Sequence, residues 1–279
     1  MEFVRKGASP VLEEKEKNGL VYLTFPSLTQ TGIVSHLFTT RMGGVSQGIF
    51  SSLNLSFTRG DEEEAVRENY RRVAAVLGCT SEDFVCSDQT HTVNIRKVTR
   101  ADCGKGVVYP KDYQDVDGLV TNEPGIVLST FYADCVPLYF VDTKKKVIGL
   151  AHSGWRGTVG RIGGKMIHLM QEEYGCKLED VLAAIGPSIC RDCYEVSQDV
   201  ADIFKQEFGG EVLTEGRAPG KYQLDLWMAN ELVLQQAGLA WEQITVTDIC
   251  TCCNPTLMFS HRASAGKRGN LGAFLMLKS

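Results

Sequence analysis

One stretch constrains the fold of this chain more than any other. It runs Tyr132-Ala-Asp-Cys-Val-Pro-Leu-Tyr-Phe-Val-Asp-Thr-Lys-Lys-Lys-Val-Ile-Gly-Leu-Ala-His152. Two apolar runs flank Asp142-Thr143-Lys144-Lys145, a polar turn of hairpin length. A turn centred between Thr143 and Lys144 sets Cys135 opposite His152. Directly opposed side chains share a sheet face, with Cβ atoms about 4.5–5.5 Å apart, which suits two ligands of one ion. A slip of one residue would put them on opposite faces, and Thr-Lys is not a favoured two-residue turn, so the inference hangs on the turn.

Around this hairpin the chain alternates between short strands and helices. Strand-like segments lie at Val21–Phe25, Ile33–Thr39, Ile126–Tyr132, Val136–Val141, Val147–Ala151, Ile244–Ile249 and Leu271–Leu277. The acidic run Asp61–Glu64 opens a helix whose Val66, Tyr70, Val73, Ala74 and Leu77 share one face, and Gly78 closes it. A second helix is expected from Thr158 to Tyr174, with Ile162, Met166, Leu169 and Met170 inward and Gly175 as its stop. Two more follow Ser197 and span Leu226 to Ala237. Adjacent strands with short turns favour mixed or antiparallel sheets covered by helices, an α+β fold. With no repeat, low-complexity tract or Pro/Ser-rich linker, residues 1–279 are expected to form one domain.

Composition excludes several classes. No apolar run approaches the roughly 18 residues of a membrane helix. The start, Met1-Glu2-Phe3-Val4-Arg5-Lys6, lacks the apolar core of a signal peptide, so a cytoplasmic protein is expected. A net charge of −5 argues against nucleic acid as partner. Ten cysteines in a reducing compartment are read as buried thiols, ligands or nucleophiles rather than a disulfide framework.

The hairpin's flanks carry chemistry. Asp134 precedes the cysteine, and Ser153-Gly154-Trp155-Arg156-Gly157 leads from the histidine into a helix. A strand-to-helix turn of this kind can offer N–H groups and a cation to an anion. Gly160, Gly163 and Gly164 are read as packing glycines. A third ligand must come from His36, His91, His168 or His261. His91, in Asp88-Gln89-Thr90-His91 at a strand entrance, is the best placed, whereas His168 falls within a helix.

Six separated blocks resemble the signature of the YfiH/YlmD laccase-domain family. They are Phe38-Thr-Thr-Arg-Met-Gly-Gly-Val-Ser46 with Ser52-Leu-Asn-Leu55, Gln89-Thr-His91, Ala133-Asp-Cys-Val-Pro137, Ala151-His-Ser-Gly-Trp-Arg-Gly157, Ala184-Ile-Gly-Pro-Ser-Ile189 and Phe259-Ser-His-Arg262. The resemblance covers roughly residues 30–277. It implies a zinc-dependent purine nucleoside enzyme that phosphorolyses adenosine, inosine, guanosine and methylthioadenosine and deaminates adenosine, despite an old polyphenol oxidase label. It also implies one catalytic zinc on His91, Cys135 and His152. Ser153 stands where the family usually has Ala, and His261 where it often has Tyr.

Three protein ligands leave zinc an open position and the capacity to lower the pKa of water to about 7. Deamination would bring hydroxide to purine C6, with Asp134 as the candidate proton carrier. Phosphorolysis needs phosphate beside the ribose, and Arg41 and Arg156 are the candidate cations. Asn54 is a candidate hydrogen-bonding partner of ribose or base.

Of three rival readings, two remain open and the copper oxidase is rejected. A metal-free cysteine hydrolase would use Cys135 as nucleophile and His152 as base, leaving His91 without a role. A copper oxidase would need several His-x-His pairs, which five isolated histidines do not supply. Cys190-x-x-Cys193 with Cys250-Thr-Cys252-Cys253 could clamp a structural zinc in a non-catalytic binding module, although buried thiols are the default there.

Overall fold

A computed structural model of the chain describes residues 2–7 and 9–278. Met1, at which the charged start begins, lies outside them. Two six-stranded sheets and one three-stranded sheet organise the fold. In spatial order the first sheet holds β1 (Glu13–Lys17), β2 (Leu20–Thr24), β3 (Val34–Thr39), β15 (Leu271–Leu277), β7 (Val127–Tyr132) and β4 (Phe84–Cys86). The second holds β14 (Ile244–Val246), β10 (Val181–Ile185), β8 (Val136–Asp142), β9 (Val147–Ser153), β6 (Gly118–Thr121) and β5 (Ile95–Lys97). The small sheet joins β11 (Glu195–Ser197), β13 (Lys221–Leu224) and β12 (Leu213–Glu215). The helices are α1 (Pro26–Thr29), α2 (Glu63–Leu77), α3 (Trp155–Val159), α4 (Ile162–Tyr174), α5 (Gln198–Phe208) and α6 (Leu226–Gln236).

Alternation along the strands explains the layering. In β8, Val136, Leu138 and Phe140 face one cluster with Ile162, Met166 and Met170 of α4 and Val233 and Leu234 of α6. Tyr139 and Val141 face the other way, toward Phe38, Leu128 and Leu275 of the first sheet. The outer face of that sheet packs Phe274, Val127 and Phe84 against Val66, Tyr70 and Val73 of α2. Helix, sheet, sheet and helix therefore form four layers, with the hairpin's strands buried on both faces. The sheets are mixed: β4–β7, β5–β6 and β10–β14 are parallel, and the other pairings antiparallel.

The expected helix over Thr158–Tyr174 is broken in two. Gly160 and Arg161 interrupt it, Arg161 taking φ 60° and ψ 40°. A side chain at Gly160 would meet Val93 Cγ1 at 2.5 Å, so the close approach of the His91 loop sets the break. β1 escaped the apolar pattern because Glu-Glu-Lys-Glu-Lys is exposed throughout, a charged edge strand that discourages further pairing. Among the described residues no helix is long and apolar enough to cross a membrane.

Phe274 tests the outer layer. It is fully buried, edge-on to Phe84 with ring centroids 5.5 Å apart. Phe274→Ala should destabilise the fold by about 3–5 kcal/mol, measured by urea denaturation. A loss below 1 kcal/mol would mean that α2 collapses onto the gap.

Candidate metal centre

The site lies at one end of the sandwich, where β8 begins and β9 ends. The hairpin register differs by two positions from the expectation: Pro137, not Cys135, faces His152, and Cys135 sits on the diagonal. The loop is the cause. Residues Thr143–Lys146 form a longer connection in which Asp142 Oδ1 accepts from Lys144 N (2.8 Å) and Lys145 N (2.7 Å), and Lys146 is left-handed at φ 54°. A two-residue shift preserves parity, so Cys135 and His152 still share the face toward the first sheet.

His91 arrives from the segment between β4 and β5. Gln89 stitches that segment to β7: Nε2 donates to Phe131 O and Oε1 accepts from Phe131 N, both at 2.7 Å. His91 is exposed and takes φ 66°, in the left-handed region. Its Nε2 lies 3.9 Å from Cys135 Sγ, and the ligand atoms of His91, Cys135 and His152 all fall within 4.8 Å of one another. Tetrahedral zinc with bonds near 2.0–2.3 Å separates its nitrogen and sulfur ligands by about 3.5 Å, a few tenths of an ångström less than the His91–Cys135 distance. Gly154 makes the room. A Cβ there would stand 2.9 Å from His91 Cδ2 and 3.2 Å from Cys135 Sγ.

Asp117 is the residue that sequence reasoning missed. Fully buried just before β6, it accepts from His152 Nδ1 at 2.8 Å and His91 N at 3.2 Å through Oδ1. Its Oδ2 accepts from Thr90 N (3.1 Å), Thr92 N (2.8 Å) and Thr92 Oγ1 (2.9 Å). One carboxylate thus fixes the His152 ring, leaving Nε2 toward Cys135, and shapes the loop carrying His91. Burial pushes its pKa up, yet His152 and the amides hold it below the usual carboxylate value. Its signal in sequence was weak: an Asp before a strand, in Asp115-Val-Asp-Gly118.

Electrostatics pair the ligands. Burial pushes the Cys135 thiol up, but the His152 and His91 imidazoles outweigh it and bring it down to about 6. Burial pushes His152 down, while Cys135 and Asp117 together raise it to about 9. His36 behaves oppositely: buried, accepting from Phe25 N at 2.8 Å, it is lowered to about 4. His168 and His261 are exposed and lie outside the His–Cys–His group.

The other candidate residues occupy different places. Asp134 has both oxygens engaged, by Thr251 Oγ1 and Arg262 N, each at 2.7 Å. Strained at φ 92°, it supports the backbone that presents Cys135. Asn54 is fully buried, its amide bound to Ser56, Asp61 and Asn270, so it holds a loop instead of meeting a ligand. Arg41 donates to Ser51 O and Pro255 O and stacks on Phe259. Arg156 is exposed over the Trp155 ring. Ser153 is buried between Thr158 and Asn230.

A cavity of about 330 Å³ opens on the His–Cys–His group and brings Arg59, Lys111 and Arg268 to its walls together with Phe57 and Phe131. Neither Arg41 nor Arg156 lines it. Arg268 is buried and its Nε has no hydrogen-bond partner. Burial, then Arg59, lowers its pKa to about 10. An anion between these arginines would relieve both.

A four-layer sandwich with two imidazoles and a thiol converging at its rim is the arrangement of a laccase-type domain. The chain belongs to the family described as multi-copper polyphenol oxidoreductase laccase, which matches residues 35–278. It is 40% identical to the purine nucleoside phosphorylase YlmD of Bacillus subtilis, over 86% of this chain and 87% of that one. The YlmD of Geobacillus stearothermophilus, also named a purine nucleoside phosphorylase, is 40% identical over 95% and 97% of the two chains. A crystal structure of YlmD from Geobacillus stearothermophilus superposes with a TM-score of 0.88 at 37% identity, covering 97% of this chain and all of that one. YfiH of Bacillus licheniformis, titled a hypothetical protein, gives 0.88 at 34% identity, covering 95% and 99%.

Two measurements follow from the geometry. Asp117→Asn should weaken metal binding about 10- to 100-fold by freeing both histidines, read by competition with a chromogenic chelator. Unchanged affinity in a folded variant would remove Asp117 from this role. In metal-stripped protein, Cys135 should be alkylated rapidly at pH 7 and slow about tenfold per unit below pH 6, where its thiolate is protonated. Peptide mapping reads this, and a midpoint near 8.5, the value of a free thiol, would show that the histidines do not act on it.

Proposed function

We propose that this chain is a zinc-dependent purine nucleoside phosphorylase that acts on adenosine, inosine, guanosine and methylthioadenosine and also deaminates adenosine. The observation that carries the proposal is a His–Cys–His group opening on a cavity with two arginines and two aromatic faces. The resemblance to proteins named purine nucleoside phosphorylase supports the same reaction class. His91, Cys135 and His152 fit zinc through their donor types, their spacing and the space left by Gly154. Zinc bound there would supply Lewis acidity beside an open fourth position. A multicopper oxidase fits poorly, since it needs further histidine clusters and, among the described residues, His36, His168 and His261 lie outside the one His–Cys–His group.

The protein's own groups divide the work of binding. Arg268 and Arg59 hold phosphate, the former by a guanidinium already desolvated and with its Nε unpartnered. Phe57 and Phe131 offer faces for a purine ring. Asp117 keeps the His152 ring oriented, and Asp134 keeps the Cys135 backbone in place. Reaction in a cytoplasmic compartment suits the reduced thiols.

A second reading has one observation in its favour. Cys135, His152 and Asp117 are arranged as thiol, imidazole and carboxylate, with the thiol lowered to about 6. Without metal this is the order of a cysteine hydrolase. His91 and Gly154 have no part in such a triad.

Purified protein given adenosine and phosphate should release adenine and ribose 1-phosphate, with some inosine. Arg268→Ala should slow phosphorolysis about 10- to 150-fold, the kinetic equivalent of a lost charge-assisted contact of about 1.5–3 kcal/mol. Deamination, which uses no phosphate, should change far less, and Arg41→Ala and Arg156→Ala should be milder on phosphorolysis. Equal loss of both activities would show that Arg268 shapes the shared cavity. Full activity after metal removal would sink the zinc enzyme and promote the hydrolase.

A further inference from the structure

A second group of metal-competent side chains lies apart from the His–Cys–His centre. Cys190 and Cys193 sit in the loop after β10, and Cys250 and Cys253 in the loop after β14. Each pair has the C-x-x-C spacing that lets one turn of backbone present two sulfurs to one ion. In sequence the crowding of Cys250, Cys252 and Cys253 hid the second pair, because Cys252 falls between its ligands. The structure sorts them. The Sγ atoms of Cys190, Cys193, Cys250 and Cys253 all lie within 4.8 Å of one another, and Cys252 is outside the group. Cys253 Sγ stands 3.5 Å from Cys193 Sγ and 3.9 Å from Cys190 Sγ. A tetrahedral ion with metal–sulfur bonds near 2.3 Å separates its sulfurs by about 3.8 Å.

Buried thiols in van der Waals contact would also approach this closely, so distance alone does not decide. Two further features do. Main-chain N–H groups of Cys190 and Cys253 aim at Cys250 Sγ, at 3.2 and 3.4 Å, the donors that a charged sulfur needs in a dry setting. All four cysteines are free, with no disulfide that would otherwise account for the convergence. We propose that these four cysteines form a tetrathiolate site for a single structural zinc, separate from the His–Cys–His centre. An iron–sulfur cluster interposes iron and sulfide between its cysteines and needs a wider spread than this one.

The site closes several long-range connections. It joins the ends of the parallel strands β10 and β14, which the Ser188–Cys250 bridge already brings together. The N-terminal segment docks on the same knuckle: Val4 N donates to Asn254 Oδ1 at 2.7 Å, and Asn254 Nδ2 donates to Cys250 O at 2.8 Å. Both knuckles also grip Asp134. Ile189 N, next to Cys190, donates to Asp134 O at 2.9 Å, and Thr251 Oγ1, next to Cys250, donates to Asp134 Oδ1 at 2.7 Å. A tetrathiolate ion would therefore hold in place the strained residue that precedes the Cys135 ligand.

Elemental analysis of untagged protein should find two zinc ions per chain. Cys193→Ser should lose one and retain the other, with a melting temperature lower by several degrees. His91→Ala should lose the other ion instead, and Cys252→Ser should keep both. This pattern separates the proposal from the nucleoside reading, because the Cys193 ion is counted without any activity. If Cys193→Ser does not fold, mercurial titration of the wild type decides: one zinc should be released as the four cysteines are modified. One zinc per chain, abolished by His91→Ala, would overturn the proposal. Reaction of the four cysteines as free thiols without metal release would do the same. Iron in place of zinc would overturn the choice of ion.

Discussion

The hydrogen bond between Asp117 and His152 is the interaction on which the rest of the site depends. A buried carboxylate without partners costs several kcal/mol, so Asp117 is tolerable only because five donors surround it. Four of those donors come from the loop that carries His91, and the fifth is the ring of His152. The carboxylate thereby makes His91 and His152, distant in sequence, a single mechanical unit. It immediately precedes β6, the strand paired with β9, so its own position is fixed by the sheet. His152 N also donates to Asp117 O at 2.8 Å, which ties backbone to backbone beneath the ligand.

Local strain accompanies this unit on both sides. His91 and Asp134 have positive φ, at 66° and 92°, a conformation that ordinary residues adopt at a cost of about 1–2 kcal/mol. Neither is glycine, because each must carry a side chain: one a ligand, the other a brace for Thr251 and Arg262. Glycine appears instead at Gly154, where any Cβ would collide with the ligands. Strain held by surrounding hydrogen bonds keeps the three ligand atoms converged, which lowers the reorganisation that binding an ion would require.

The legible parts of the sequence were those with a period or a turn chemistry. Alternation in β8 and β9 exposed the hairpin, and α2 announced itself through Val66, Tyr70 and Val73 with Gly78 as its stop. The α+β class followed from strands lying next to one another. The hairpin register was off by two because Asp142 caps a longer loop, a side-chain bond that no pattern of hydrophobicity encodes. Arg41 and Asn54 sat in motif-like surroundings, yet one partner of each, Pro255 and Asn270, comes from the far end of the chain. Asp117 was invisible for a similar reason, since its partners come from the His91 loop and from β9, while Arg268 could be named only as a fallback phosphate cation. An isolated charge shows its role only when folding brings the groups it serves into reach.

The pairing of Cys135 with His152 also explains why one constellation admits two chemistries. In the absence of a cation, a low-pKa thiol and a raised imidazole share the charge between them, as a nucleophile and its base do. A cation competes with the proton on His152 and with that charge pairing, so loading must release the proton and grow easier as pH rises. What tips the balance is the third donor. His91 adds nothing to a nucleophile, but it closes a triangle of ligand atoms whose spacing an ion can bridge. The glycine at 154 points the same way, since a hydrolase would gain nothing from clearing space beside His91. Both features suit a triangle of donors that could hold a cation at its centre.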